Sequence, residues 1–245
     1  MQTLDEVKNQ ALELMQSHGF PIKEDINIAV DDKLPFMGYT AERNGKPLIV
    51  VSKWSLATDM AMGLIIHELG HVYMTEINHP SHNFSLQQNV LDEMWKDKKI
   101  YEYQAKIIHN IINNIQDLYA DDISFPAYIN GSGKRDMSEF FLGWIGKPML
   151  APLSKQDAWE NAKLLLSAAF AMANLERHKL EDTDGKIEKT VYIFLSQVDP
   201  RLAQKFDYFK NVMVNLPPQA TSPQFEKLLK EYINEFLKLT EVVQN

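Results

Sequence analysis

His67-Glu68-Leu69-Gly70-His71 gathers two imidazoles and a carboxylate within five residues. On a helix, residues four apart differ by about 40° of rotation and one turn of rise, so both rings can face one metal ion. Glu68 sits between them, next to that face, where it can take a proton from metal-bound water. H-E-x-x-H in this form is the signature of zinc-dependent peptide-bond hydrolysis. The apolar run 60–66 predicts a buried helix around these residues. Thr58 and Asp59 supply capping groups at its start. Asn78, His79 and Pro80 end it. Leu69 and Gly70 leave the metal side uncrowded, and without a metal a buried Glu68 would need a partner of its own.

A catalytic zinc site takes three protein ligands and keeps one position open. The metzincin continuation requires Gly and His where this chain has Met74 and Ile77, so it is excluded. His79 and His82 follow in a turn around Pro80, with nothing to hold them on the ligand face. The next long helix, 100–124, has an apolar face of Ile107, Ile108, Ile111, Ile112, Ile115 and Leu118. Its opposite stripe runs Lys106, Asn110, Asn113, Asp117, Asp121. Asn and Asp are poorer helix formers than Lys, Glu and Gln. A stripe that gives up helix propensity for short polar groups implies that those groups bond to something, and a site-lining role is expected of it. Candidates for the third ligand are Asp117, Asp121, His109, Glu93 and His79.

The chain here resembles the gluzincin metallopeptidases, in which H-E-x-x-H is followed by a second helix carrying N-E-x-x-S/A-D. Gln116-Asp117-Leu118-Tyr119-Ala120-Asp121 matches that frame. The resemblance implies Asp117 as third zinc ligand and Asp121 orienting a zinc-bound histidine from behind; Asn113, one turn earlier on the same polar stripe, is expected to support them. Asp in place of Glu shortens the ligand by one methylene, so the second helix must approach the metal more closely. Segments 26–30, 37–43 and 47–53 resemble the strands of the small sheet that precedes the metal helix in zincins. The likeness covers roughly residues 20–125 and implies a minigluzincin-type core with a helical C-terminal extension. In related enzymes a Tyr or His of the C-terminal part stabilises the oxyanion. His178, the only histidine of the second half, is the matching expectation here, ahead of Tyr119 and Tyr128.

The expected fold is therefore α+β, mainly α: a small N-terminal sheet on the H-E-x-x-H helix and a second ligand-bearing helix, then a helical half. Residues 1–127 form the metallopeptidase core in this reading, with 78–100 an inserted loop and short helix. Residues 135–245 form a helical subdomain walling the cleft, with helices at 138–145, 155–179, 186–197, 200–214 and 224–243. Linkers are expected at 128–134 and 215–223, and 182–186 reads as a helix-connecting turn. The strand 47–53 could offer an edge to an extended peptide.

At 245 residues and 45% apolar composition, the chain can build a sizeable core without disulfides. It has no cysteine, which excludes thiolate ligands, disulfides and a cysteine nucleophile. A net charge of −8 argues against nucleic-acid binding. Met1-Gln2-Thr3-Leu4-Asp5-Glu6 begins an amphipathic helix, not a signal peptide, and the apolar stretch 164–175 is too short to span a bilayer. The expectation is a soluble cytoplasmic protein with no membrane association, holding Zn²⁺ and acting on a peptide or protein substrate. Glu68 would be its general base. The alternatives are a catalytically silent zincin-fold regulatory or partner-binding protein that retains the metal, and an interaction protein built on the helical half.

Overall fold

A computed structural model describes residues 3–96, 99–132 and 135–242. Met1, Gln2, residues 133–134 of the expected linker, 97–98 of the expected insert and 243 of the expected last helix lie outside the described residues. The chain is mainly helical with one three-stranded sheet, an α+β architecture. In order it forms α1 (Leu4–Ser17), β1 (Asn27–Asp31), β2 (Gly38–Arg43), β3 (Lys46–Ser52), α2 (Lys53–Leu56), α3 (Ala61–Glu76) and α4 (Phe84–Trp95). There follow α5 (Glu102–Ser132), α6 (Ser138–Leu142), α7 (Lys155–His178), α8 (Lys186–Gln197), α9 (Pro200–Ala203), α10 (Phe206–Val214) and α11 (Ser222–Val242). Two compact units emerge: Met1–His82 with Gln116–Lys134, and Asn83–Ile115 with Arg135–Asn245. The second half of α5 thus belongs to the first unit, while α4 and the first half of α5 group with the C-terminal helices.

In the first unit the strand order is β1-β3-β2, with β1 parallel and β2 antiparallel to β3. The Leu-Ile-Val-Val run of β3 has Ile49 and Val51 fully buried, as suits a central strand. The segment offered above as a peptide edge is therefore paired on both sides, and the edges are β1 and β2. Asn44 and Gly45, with φ of 55° and 73°, make the two-residue hairpin turn that joins β2 to β3. Helix α3 packs on β2, β3 and α1 and is buried on most of its circumference. Its N-cap is Met60, without a side-chain cap bond. Thr58, expected to cap it, accepts from the Met60 amide at 3.3 Å and donates to the Ser55 carbonyl, closing the turn after α2. Ile77 ends α3, and Asn78 takes a left-handed φ of 54°.

Helix α5 runs through Pro126 to Ser132, so most of the linker expected at 128–134 is helix. Packing explains the difference: the Tyr128 ring lies against Gly63 and is buried, and Gly131 sits under Leu14 of α1. Tertiary contacts here outweigh the weak helix propensity of Asn-Gly-Ser.

The second unit is built around α7, which packs against α8, α10 and α11. Ser154 and Asp157 form a capping box at its start. Near its end, the Arg177 guanidinium donates to the carbonyls of Val214 and Leu216, each at 2.8 Å, and so ties down the chain leaving α10. Lys230 of α11 pairs with Glu93 of α4 at 2.6 Å. Segment 182–186 is a one-turn 3₁₀ connection (Thr183–Gly185) into α8, as expected. Among the described residues, no helix is long and apolar enough to cross a membrane.

Candidate metal centre

Helices α3 and α5 of the first unit bring His67, His71 and Asp117 together, with one ligand-type atom of each within 4.8 Å of the others. Their i and i+4 positions stack the two histidines on one face of α3, where Nε2 of one lies 3.2 Å from Nε2 of the other. Asp117 Oδ1 is 3.4 Å from His71 Nε2 and 4.0 Å from His67 Nε2. Tetrahedral zinc with bonds of about 2.1 Å sets its ligand atoms about 3.4 Å apart. The shortest distance at which one ion can touch all three atoms equally, worked from those separations, is about 2.1 Å, in the plane of the three and within the zinc–nitrogen and zinc–oxygen range. Two imidazoles and a carboxylate therefore fit a zinc ion in both donor type and spacing. The His67, His71 and Asp117 side chains are 25%, 17% and 20% exposed, which leaves the cluster open to water.

The shorter aspartate demands close helices, and α3 and α5 do meet closely at this level. A Cβ at Gly70 would lie 2.8 Å from the Ala120 carbonyl oxygen and 3.2 Å from its Cα. Only hydrogen at position 70 permits that approach, and Ala120 stands between Asp117 and Asp121.

Behind the cluster, His67 Nδ1 bonds Asp121 Oδ1 at 2.8 Å, and Ser124 Oγ donates to the same oxygen. With Nδ1 turned to Asp121, Nε2 is the ring nitrogen aimed at Asp117 and His71, and a metal ion there would take the place of its proton. Burial alone would depress the His67 imidazole. Attraction and hydrogen bonding from Asp121, with Glu68 and Asp117 nearby, override it and push His67 up to about 10. The carboxylates around it thus favour a positive charge at this spot. On the other imidazole, His71 Nδ1 meets His82 Nε2 at 2.8 Å. Burial, then neighbouring His71, His79 and His67, holds the His82 imidazole well below the usual histidine range.

Glu68 is 4% exposed. Thr40 Oγ1, on the edge strand β2, lies 2.8 Å from Glu68 Oε2 and 3.1 Å from the Glu68 carbonyl. Its single proton can serve either oxygen, and the contact holds the β2 edge against α3.

Of the residues singled out in the sequence, the structure brings together His67, Glu68, His71, Asp117 and Asp121. Asn113 is half-buried on the part of α5 grouped with the second unit. His178 stands in the last turn of α7, within the second unit. Tyr119 and Tyr128 are core residues, Tyr119 packed on His79 and Tyr128 on Gly63. Of the rival ligands, Glu93 is paired with Lys230, His109 is exposed on α5, His79 is bonded to Ser81, and Asp121 stands behind His67. Thr40, Ser81 and the supporting role of His82 were not read from the sequence. They come from segments whose proximity only the fold creates, and the one available signal was the crowding of His79 and His82 just past the metal helix.

A family model described as "Family of unknown function (DUF5781)" matches residues 9–135, a span holding all of these side chains except His178. Neither the curated proteins nor the solved structures contain a match.

Proposed function

The chain belongs to this family of unknown function (DUF5781), and we propose that it is a zinc-dependent peptidase, with His67, His71 and Asp117 as ligands and Glu68 as general base. The observation that carries the reading is the meeting of H-E-x-x-H with an aspartate from a second helix at ligand spacing. When bound, zinc would supply a water of lowered pKa and an electrophile for the scissile carbonyl. Glu68, beside the cluster, would accept a proton from the attacking water and return it to the leaving amine. Thr40 fixes the carboxylate's rotamer by bonding Oε2, and the other oxygen keeps its lone pairs for that transfer. Asp121 holds the His67 tautomer that presents Nε2. Two histidines and a carboxylate can also hold ferrous iron. The Glu68 carboxylate favours hydrolysis, because an iron site of that type has no use for a buried base here. The substrate class is a peptide or unfolded protein, and a chain without cysteine suits the reducing cytoplasm.

Metal analysis of purified protein, with casein cleavage by wild type and Glu68→Gln, tests this. The expected result is about one zinc per chain in both proteins and cleavage by wild type alone. Iron in place of zinc, cleavage undiminished by Glu68→Gln, or a zinc-loaded wild type inert on varied substrates would each reject the peptidase. The last outcome would favour a silent, metal-retaining regulatory protein.

A further inference from the structure

The turn that follows α3, Pro80–His82, carries a hydrogen-bonded chain that ends on His71. His71 Nδ1 lies 2.8 Å from His82 Nε2, His82 Nδ1 lies 2.8 Å from Ser81 Oγ, and Ser81 Oγ lies 2.7 Å from His79 Nδ1. One backbone group fixes the direction of all three bonds. The Ser81 amide N–H, which can only donate, points at His79 Nδ1 at 3.3 Å. That nitrogen is therefore the bare one, and the His79 proton is on Nε2. Ser81 Oγ then donates to His79 Nδ1 and accepts from His82 Nδ1–H. With its proton on Nδ1, His82 offers the Nε2 lone pair to His71 Nδ1–H. His71 is left with a bare Nε2, the atom 3.2 Å from His67 Nε2 and 3.4 Å from Asp117 Oδ1.

We propose that Ser81 and His79 lock the tautomer of His82, and that His82 in turn is the positioning residue that presents His71 as a metal ligand. This rests on the metal-site reading above. Independent features of the turn agree with a locked geometry. Ser81 is fully buried and His79 is 6% exposed. Gln116 Nε2, next to the ligand Asp117, donates to the Ser81 carbonyl at 3.1 Å, so the turn is fastened to the same helix as the third ligand. The His79 amide closes on the Met74 carbonyl and the His82 amide on that of His79. The two ligand histidines are thereby held by different chemistry, His67 by a carboxylate and His71 by a neutral relay. Glu68, Asp117 and Asp121 already place three carboxylates at the site. A fourth carboxylate behind His71 would outweigh a divalent ion further, whereas an imidazole orients the ring without adding charge.

The test combines zinc affinity, from competition with a chelator, with ring-nitrogen NMR on the zinc-loaded protein. In wild type, His79 should carry its proton on Nε2, and His82 and His71 should carry theirs on Nδ1. Ser81→Ala, which removes one oxygen atom, should leave His82 as a mixture of tautomers and weaken zinc binding about tenfold to a hundredfold. His82→Phe should weaken it at least as much. If wild type binds zinc through His67 and His71 but Ser81→Ala and His82→Phe bind it within twofold of wild type, the relay is wrong and the metal site stands. His79 protonated on Nδ1 in the zinc-loaded wild type also overturns the relay alone. A wild type that takes up no zinc overturns both.

Discussion

Gly70→Ala probes the contact on which the site's dimensions depend. The new methyl would stand 2.8 Å from the Ala120 oxygen, 3.2 Å from its Cα and 3.3 Å from its carbonyl carbon, all backbone atoms that cannot rotate away. Restoring ordinary contact, about 3.4 Å, requires α5 to retreat by about 0.6 Å at this level. Overpacking of this kind costs about 1–3 kcal/mol, and the better helix propensity of alanine returns up to about 1 kcal/mol. The net loss of about 0–3 kcal/mol lowers Tm by up to about 10 °C for a chain of this length. The metal should notice more. If Asp117 Oδ1 moves 0.6 Å from both histidine nitrogens, its separations grow from 3.4 and 4.0 Å to about 4.0 and 4.6 Å. The common point then lies about 2.3 Å from all three atoms, outside the zinc range of about 2.0–2.2 Å. Zinc affinity should fall at least tenfold, about 1.4 kcal/mol. Gly63→Ala is the control, two turns earlier on the same helix, because its methyl meets the Tyr128 ring at 3.2–3.4 Å and a ring edge can shift. It should leave zinc affinity within twofold of wild type. Thermal denaturation of the metal-free proteins and chelator competition measure the two effects. A Gly70→Ala protein that binds zinc like wild type would refute the argument that this contact sets the ligand triangle.

Two further outcomes follow from the same geometry. Asp117→Ala should weaken zinc binding at least a hundredfold while His109→Ala, an exposed change, leaves it unaltered; chelator competition reads both, and the reverse order would reject the ligand set. Burial lowers the His79 imidazole below its usual value, with Asp122 opposing in part, so folding favours the neutral ring. The sign follows: this contribution is complete above pH 6.5, where the unfolded chain is also neutral, and is lost as pH falls toward the folded value, by at most about 1.4 kcal/mol per unit. Denaturant unfolding of metal-free protein at pH 7.5 and 5.5 should show a smaller pH loss for His79→Gln than for wild type, and an equal loss in both would contradict it.

Elements whose signal is local were legible in the sequence. The metal helix and the helices of the C-terminal half were readable from periodicity, with ends shifted by a few residues and the expected 200–214 helix broken into α9 and α10, while the resemblance placed the three strands. His67 and His71 were legible because one helical turn fixes their relation, and Asp117 with Asp121 for the same reason. The joining of these two pairs was not local, and only the resemblance supplied it. The sequence does hold a trace of that joining in Gly70, whose missing side chain marks where α5 closes on α3. Thr40 was invisible because it reaches Glu68 across 28 residues from an edge strand. His82 was set aside as a ligand because the Pro80 turn gave it no helical face. That same turn is what carries it behind His71, where a ring that cannot ligate can still orient. The expected linker failed for the mirror-image reason, since Gly131 read as a breaker until Leu14 was found packed upon it. In each case the residue type was informative and its partner was not, because partners at this site are chosen by the packing of segments around 40, 70, 80 and 120. The motif alone therefore brings together two imidazoles and a carboxylate, while the outer bonds that orient them come from segments no single helix contains.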